Sequence, residues 1–276
     1  MTHEKEPMKK TVSPVTVKKA AKKVAVASPK KSADHAPILT AKKFTEKLQA
    51  MASAKEAEKT QRYFKSGEGQ YGAGDKFIGV RMGKLFTLAK EFIEMPVTEL
   101  EQLLESPIHE IRAGAVSIMD KASRNKKTTT TRRKELFDLY MRRHDRINNW
   151  DLVDLGCLYM TGSYLYDKPR QLLRKMARSS NLWERRTAIV STCYFIRQGD
   201  LEDTFAIAEL LMNDKEDLVH KATGWMLRFA GDKDQKKLLA LLDKYASIMP
   251  RTLLRYSIEK LDKKKKDYYM GLKKAK

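Results

Sequence analysis

The segment Ile207-Ala208-Glu209-Leu210-Leu211-Met212-Asn213-Asp214-Lys215-Glu216-Asp217-Leu218-Val219-His220-Lys221-Ala222-Thr223-Gly224-Trp225-Met226 decides the fold. Its apolar residues Ile207, Leu210 and Leu211, then Val219, Ala222, Trp225 and Met226, recur three and four apart, the spacing of one helix face. Asn213 and Asp214 lie between the two runs, and such side chains compete with helical hydrogen bonding and mark helix ends. The segment therefore reads as two amphipathic helices joined by a short turn.

The same pattern extends in both directions. Phe44, Leu48 and Met51 begin it, followed by Leu85, Leu88, Ala89 and Phe92, then by Leu100, Leu103 and Leu104. Ile111, Ala115, Ile118 and Met119 come next, with Leu136, Leu139 and Tyr140 after them. Leu172, Leu173 and Met176 lead to Ala188, Ile189, Thr192 and Cys193, and Leu238, Leu241 and Leu242 lead to Leu253, Leu254 and Ile258. No run alternates convincingly with period two, so the fold class expected is all-α. Helix pairs recur roughly every 35 to 40 residues, which predicts an α-solenoid of about six HEAT-like repeats. Such a repeat cannot close its own core. Its neighbours must stack on it, and the stack leaves a long concave face.

Charge says what that face would meet. The 276 residues hold 56 Lys and Arg against 35 Asp and Glu, a net charge of +21, so a concave basic face that cups a polyanion is expected. Residues 1–40 hold nine lysines, no arginine and no aromatic residue, the composition of a disordered tail. The helical body is read as 41–262, and Lys263 to Lys266 with Lys273 and Lys274 make 263–276 a second basic tail or a frayed helix end. No apolar run reaches the roughly 20 residues needed to span a bilayer, and residues 1–40 contain no apolar signal core, so a cytoplasmic, nucleoid-associated location without membrane contact is expected. Cys157 and Cys193 sit in apolar patterns and read as buried free thiols. His3, His35, His109, His144 and His220 show no ligand spacing, so no metal and no cofactor is proposed.

Two stretches stand out from the helical texture. Ser66 to Lys76 is rich in glycine but lacks the Gly-Lys-Ser/Thr ending of a phosphate-binding loop, and no strand precedes it as a dinucleotide fingerprint requires. It links the first helix to the repeats, either as a plain loop or with backbone N–H groups turned toward phosphate. In Asn149-Trp150-Asp151-Leu152-Val153-Asp154 a tryptophan precedes an acid by four residues, one helical turn, so both occupy one face. A flat ring beside a carboxylate suits holding a sugar and stabilising positive charge on it. Asp151 is one residue from Trp150 and points about 100° away, toward a cap or solvent. Trp150, Trp183 and Trp225 follow one another at 33 and 42 residues, near the repeat period. That spacing is met either by core packing or by a shared surface, with Trp183 the one expected to be structural.

Five stretches carry a resemblance. Tyr63-Phe64-Lys65 with Gly74-Asp75-Lys76-Phe77-Ile78-Gly79-Val80-Arg81 is the first, and Asn149 to Asp154 the second. Trp183-Glu184-Arg185-Arg186-Thr187-Ala188-Ile189, Lys221 to Arg228, and Pro250-Arg251-Thr252-Leu253-Leu254-Arg255-Tyr256 follow in order. Together they resemble the AlkD-type DNA alkylation repair family, DNA glycosylases of HEAT-like repeats, over about residues 42 to 262. The resemblance implies excision of positively charged alkylpurines, such as 3-methyladenine and 7-methylguanine, from double-stranded DNA, with the lesion left stacked and no deep base pocket. It implies Asp154, Trp150 and Trp225 as the catalytic residues against the lesion's deoxyribose, and Arg186 supporting them through the DNA backbone. Arg185, Tyr63, Lys221, Arg228 and Arg251, within the matching stretches, are the further expected DNA contacts. Relatives commonly have proline where Met82-Gly83 stands, which bears on the local turn.

The residue types suit that chemistry independently. An N-alkylated purine is a good leaving group, its departure gives an oxocarbenium-like sugar, and a carboxylate near C1′ lowers the energy of that cation. Aromatic faces add cation–π attraction. No lysine is required as a Schiff-base nucleophile, so a monomeric, monofunctional glycosylase without lyase chemistry is expected. The other functions open to a basic solenoid are a non-catalytic scaffold for damaged, bent or branched DNA and a protein-binding scaffold. Removing residues 1–40 should weaken non-specific DNA affinity and flatten its salt dependence with little effect on turnover at saturating DNA. Equal salt slopes for the full and shortened chains would refute a DNA-holding tail.

Overall fold

The computed structural model describes residues 39–272, so the lysine-rich stretch from Met1 to Ile38 lies outside the described residues. Those described form helices α1 (Ala41–Gln49), α2 (Ala54–Tyr63), α3 (Met82–Lys90), α4 (Val97–Leu104), α5 (His109–Arg124), α6 (Thr130–Arg142) and α7 (Trp150–Gly156). A π-helical turn, Cys157–Gly162, carries α7 into the short α8 (Ser163–Leu165). Then come α9 (Gln171–Met176), α10 (Leu182–Arg197), α11 (Glu202–Leu210), α12 (Asp217–Lys233), α13 (Gln235–Tyr245), α14 (Arg251–Ser257) and α15 (Lys263–Gly271). Among the described residues the only β pairing is an isolated bridge between Lys76 and Ile108.

The helices form an all-α solenoid of two rows. In the first row α3 packs on α5, α5 on α7, α7 and its π turn on α10, α10 on α12, and α12 on α14. In the second row, α4 and α6 flank α5, α9 and α11 flank α10, and α13 lies on α12. Leucine, isoleucine and methionine side chains from both rows meet in one continuous core. Local chemistry sets the boundaries. Thr40, Ser53, Thr129, Asn149, Asn181, Asp234 and Asp262 cap helix N-termini with side-chain oxygens, each satisfying a backbone N–H the helix leaves unpaired. Met82 takes the first position of α3, where proline is also favoured because that N–H has no helical partner.

The structure differs from the expected boundaries at the C-terminus. Residues 263–271, read as part of a second basic tail or a frayed helix end, form α15, and Lys273 and Lys274 lie outside the described residues. The Tyr269 hydroxyl donates to Asp243 of α13 at 2.7 Å, and Arg251 of α14 donates to the Met270 carbonyl at 2.5 Å. One buried tyrosine in a lysine-rich helix provides the docking that composition alone did not suggest.

Two glycines are required by geometry. Gly224 of α12 lies where an added Cβ would meet the Tyr256 Cβ at 2.5 Å and the Leu253 carbonyl oxygen at 2.6 Å, so α12 and α14 approach closely beside Trp225. Gly79 has φ +76°, and a Cβ there would come within 2.1 Å of the Ser53 carbonyl oxygen and 2.4 Å of the Ala57 nitrogen. Gly79→Ala should therefore destabilise by at least about 2 kcal/mol, combining left-handed strain with overlap on fixed backbone. Gly74 has φ +86° but open space around it, so Gly74→Ala should cost only about 1 kcal/mol. Urea denaturation of both variants checks the order.

Candidate nucleic-acid interface

Two adjoining clefts open on the free face of the first row. The second cleft, about 430 Å³, is lined by Lys65 and Tyr71 before α3, Trp150 and Asp154 of α7, Arg186 of α10, Leu218, Lys221, Trp225 and Arg228 of α12, and Tyr256 of α14. The first, about 640 Å³, is mainly apolar and lies between α2, α3, α5 and α7, with Phe64, Val80, Met82, Phe86, Leu155 and Leu158 on its walls. Tyr63, Trp150 and Asp154 border both. Where the resemblance implied no deep base pocket, the structure has this open apolar cleft beside the acid.

Asp154 is held by one partner. Arg186 donates from Nε to Oδ1 at 3.0 Å and from one terminal nitrogen to Oδ2 at 2.9 Å, a bidentate pair. The other terminal nitrogen donates to the Leu218 carbonyl at 2.5 Å. The Arg186 side chain is 6% exposed and that of Asp154 22%, so the pair stands at the floor of the cleft with its acid facing outward. Burial pushes the Asp154 carboxyl above its ordinary value, and the Arg186 charge and hydrogen bonds oppose that shift.

Trp150 leans on an aromatic wall from the end of α2. Its ring stacks on Phe64 at 5.4 Å with 18° between planes and meets Tyr63 edge-on at 5.9 Å. Tyr63 is 66% exposed and forms the rim between the clefts. Lys65 carries φ +49°, a conformation non-glycine residues adopt rarely, at the start of the glycine-rich loop. Lys221 pairs with Asp217 one turn back at 2.7 Å, and Arg228 pairs with Glu259.

The fold thus brings Asp154, Trp150, Trp225, Arg186, Tyr63, Lys221 and Arg228 to one surface. It takes two expected contacts elsewhere. Arg185 turns to Asp214, at 2.6 Å, and to the carbonyls of Ser179 and Ser180, because adjacent residues on a helix point in different directions. Arg251 closes the α14–α15 contact and lines neither cleft. Trp183 is buried and meets Tyr71 edge-on at 6.4 Å, the structural place expected of it. Cys157 and Cys193 are buried and free, and burial pushes the Cys157 thiol up to about 12. Among the described residues no group of three or more His, Cys, Asp or Glu is arranged to hold a metal, and no helix is long and apolar enough to cross a membrane.

Of the two places expected for Asp151, cap or solvent, the structure shows the cap: it is buried, its Oδ1 accepts from the Leu152 N–H in the first turn of α7 at 2.9 Å, and its Oδ2 lies 2.8 Å from His109 Nε2. His109 Nδ1 in turn faces Asp75 at 3.3 Å, and Asp75 accepts from Arg112 at 2.5 Å and Asn149 at 3.1 Å. The sequence shows no sign of this network, because its bonded partners lie 34 to 74 residues apart. Lys65, Tyr71 and Tyr256 were missed as lining residues for the same reason.

Comparison with known proteins gives the family and the fold. A family model described as "DNA alkylation repair enzyme" matches residues 44–261, and the chain belongs to that family. The fold is shared with a solved structure, a predicted DNA alkylation repair enzyme from Enterococcus faecalis, at a TM-score of 0.59 and 16% identity over 77% of this chain and 98% of that one. No curated protein matches the chain.

Stability should fall in acid through Asp75. Burial raises its carboxyl, but the His109 hydrogen bond, the Arg112 charge and Asn149 lower it from 3.8 to about 2. A depressed carboxylate stabilises the fold fully above its unfolded value and loses that contribution as pH falls toward the folded one. Thermal melts between pH 5 and 2 should show a drop in that interval for the native chain, reduced in Asp75→Asn.

Proposed function

We propose that the protein is a DNA N-glycosylase that hydrolyses the glycosidic bond of positively charged alkylpurines, 3-methyladenine and 7-methylguanine among them, in duplex DNA. Trp150 and Asp154 carry this proposal, one helical turn apart on the same cleft as Trp225, with the carboxylate fixed by Arg186. The C1′–N bond breaks with its electron pair leaving on the cationic purine, which departs neutral and needs no general acid. The sugar becomes oxocarbenium-like. Asp154 stabilises that charge and orients the water that adds to C1′, the two tryptophans offer π faces to the cation, and the water's proton passes to solvent. Lys221, Arg228 and Lys65, which line the same cleft, supply the positive charge that attracts the phosphates beside the lesion. The lesion stays stacked, and no lysine forms a Schiff base, so the product is an intact abasic site. The protein acts as a monomer.

A second function is favoured by one observation: both carboxylate oxygens of Asp154 are already bonded to Arg186, as in a purely architectural pair. The chain would then be a non-catalytic scaffold for damaged, bent or branched DNA. Base release from duplex carrying 7-methylguanine separates the two. Asp154→Asn should lower excision by roughly 10²- to 10³-fold, the usual scale for removing one electrostatic stabiliser of a transition state. Trp150→Ala and Trp225→Ala should each reduce it substantially, all three keeping DNA affinity. Full activity in Asp154→Asn sinks the mechanism, and salt-sensitive binding with no base release by the native chain identifies the scaffold.

A further inference from the structure

One buried charged cluster takes no part in the chemistry above. His109 opens α5 and is 1% exposed, and each ring nitrogen faces a carboxylate oxygen, Asp75 at 3.3 Å and Asp151 at 2.8 Å. An ionised carboxylate only accepts hydrogen bonds, so two of them on one ring require two N–H donors, the imidazolium form. Charge balance points the same way: Asp75 and Asp151 are matched by Arg112 and His109 only if the imidazole is protonated. Positive charge at a helix N-terminus is disfavoured by the helix dipole, and the two facing carboxylates oppose that effect.

The cluster joins three segments distant in sequence. Asp75 ends the glycine-rich loop that brings Lys65 and Tyr71 to the cleft. Asn148 and Asn149, just before Trp150, bond to Arg112 at 3.1 Å and Asp75 at 3.1 Å, and Asp151 follows it directly. The His109 ring also lies 4.9 Å from Phe64, on which Trp150 stacks, and 5.0 Å from Phe77. The imidazolium therefore reaches Trp150 twice, through the residues on either side of it and through the face of its ring.

We infer that His109 is a positioning residue: protonated, it locks the glycine-rich loop to the start of α7 and so sets the attitude of Trp150 and, one turn on, of Asp154. Its kinetic consequence rests on the glycosylase proposal above; the lock itself does not. The charged groups facing the ring are Asp75 from the loop and Asp151 from α7, with Arg112 and Glu110 on its own helix. The Glu110 carboxylate is occupied by the backbone N–H groups of Ile78, Gly79 and Val80, and α2 offers the phenyl ring of Phe64. Burial alone would lower the imidazole, but the bonds to Asp151 and Asp75 raise it from 6.5 to about 9. A raised pKa stabilises fully below the unfolded value and is lost as pH rises through the folded one, so the lock is closed at neutral pH and opens near pH 9.

The chain has three tryptophans, so Trp183→Phe with Trp225→Phe leaves Trp150 as the only indole. Its emission should change with pH at a midpoint near 9 in that background. Adding His109→Gln should abolish the transition and leave the emission at neutral pH near the alkaline value. In the otherwise native chain, His109→Gln should lower kcat for 7-methylguanine release about tenfold with KM for DNA unchanged. Emission that is flat from pH 7 to 10 with His109 intact overturns the lock, and this measurement needs no variant at position 109 to fold. An unchanged kcat in His109→Gln, where the native chain is active, overturns the positioning role. A transition present in a chain that releases no base supports the lock and counts against the glycosylase proposal alone.

Discussion

Arg186 is the point on which the interface depends. Its side chain lies between three successive helices of the first row: it springs from α10, grips Asp154 of α7 through two nitrogens and bonds the Leu218 carbonyl of α12 through the third. A guanidinium suits this place because its planar fork matches a carboxylate bidentately while a further donor remains, which an ammonium cannot reproduce. Such a pair adds little net stability, since desolvation offsets most of the attraction. What it supplies is registry. The helices carrying Trp150 and Trp225 are each tied to the same planar group. The pair also answers a conflict within the site: burial pushes the Asp154 carboxyl up, and the Arg186 charge and hydrogen bonds oppose that push while fixing the direction of the carboxylate.

The aromatic wall has a complementary role. Phe64, Tyr63 and Trp150 divide the region beside Asp154 into a mainly apolar cleft and one edged by lysine and arginine, and the acid borders both. An acid bordered on one side by apolar walls faces weaker solvent screening than one on an open surface, so its field on a neighbouring cation is stronger. The wall rests on the buried Asp75, His109, Asp151 and Arg112 cluster through Phe64, whose ring lies 4.9 Å from that of His109. Rigid placement of this kind matters where a cation develops during reaction, since donors and charges already in position need not reorganise.

How much of this was legible in the sequence follows from the range of each interaction. Helix positions and the two-row solenoid came from spacings of three and four residues, which hydrophobic periodicity reports directly. The shared face of Trp150 and Asp154 lies within one turn and was equally readable. The capping of α7 by Asp151 was readable but its second partner was not, because angular position on a helix says where a side chain points and not what waits there; that partner is an imidazole 42 residues away. Arg185 is a basic residue in a matching stretch whose guanidinium the helix turns to Asp214, a partner 29 residues away that spacing does not report. On α5 almost every side chain is buried, so His109 and Arg112 show no polar face to mark them out. The lysines of α15 hid a helix that a single tyrosine anchors.

The π turn after α7 explains how one short segment meets two demands. Residues 150–156 must show Trp150 and Asp154 to the clefts while burying Leu152 and Val153. Residues 157–165 must lie flush against α10, where Gly162 sits so close that a Cβ would meet the Ser191 carbonyl oxygen at 2.3 Å. A regular α-helix advances about 100° per residue throughout and offers one fixed phase to both tasks. One wider turn from Cys157 to Gly162 resets that phase, and the Thr161 hydroxyl takes up the Gly156 carbonyl at 3.3 Å where the ladder slackens. Such interruptions recur at functional sites in helical proteins because they are tolerated only where surrounding contacts hold them. Here those contacts come from α10, whose Ser191 backbone closes on Gly162 and whose Thr187 carbonyl accepts from the Cys157 thiol at 3.7 Å, so the helix that carries Arg186 to Asp154 also braces the irregular turn after it.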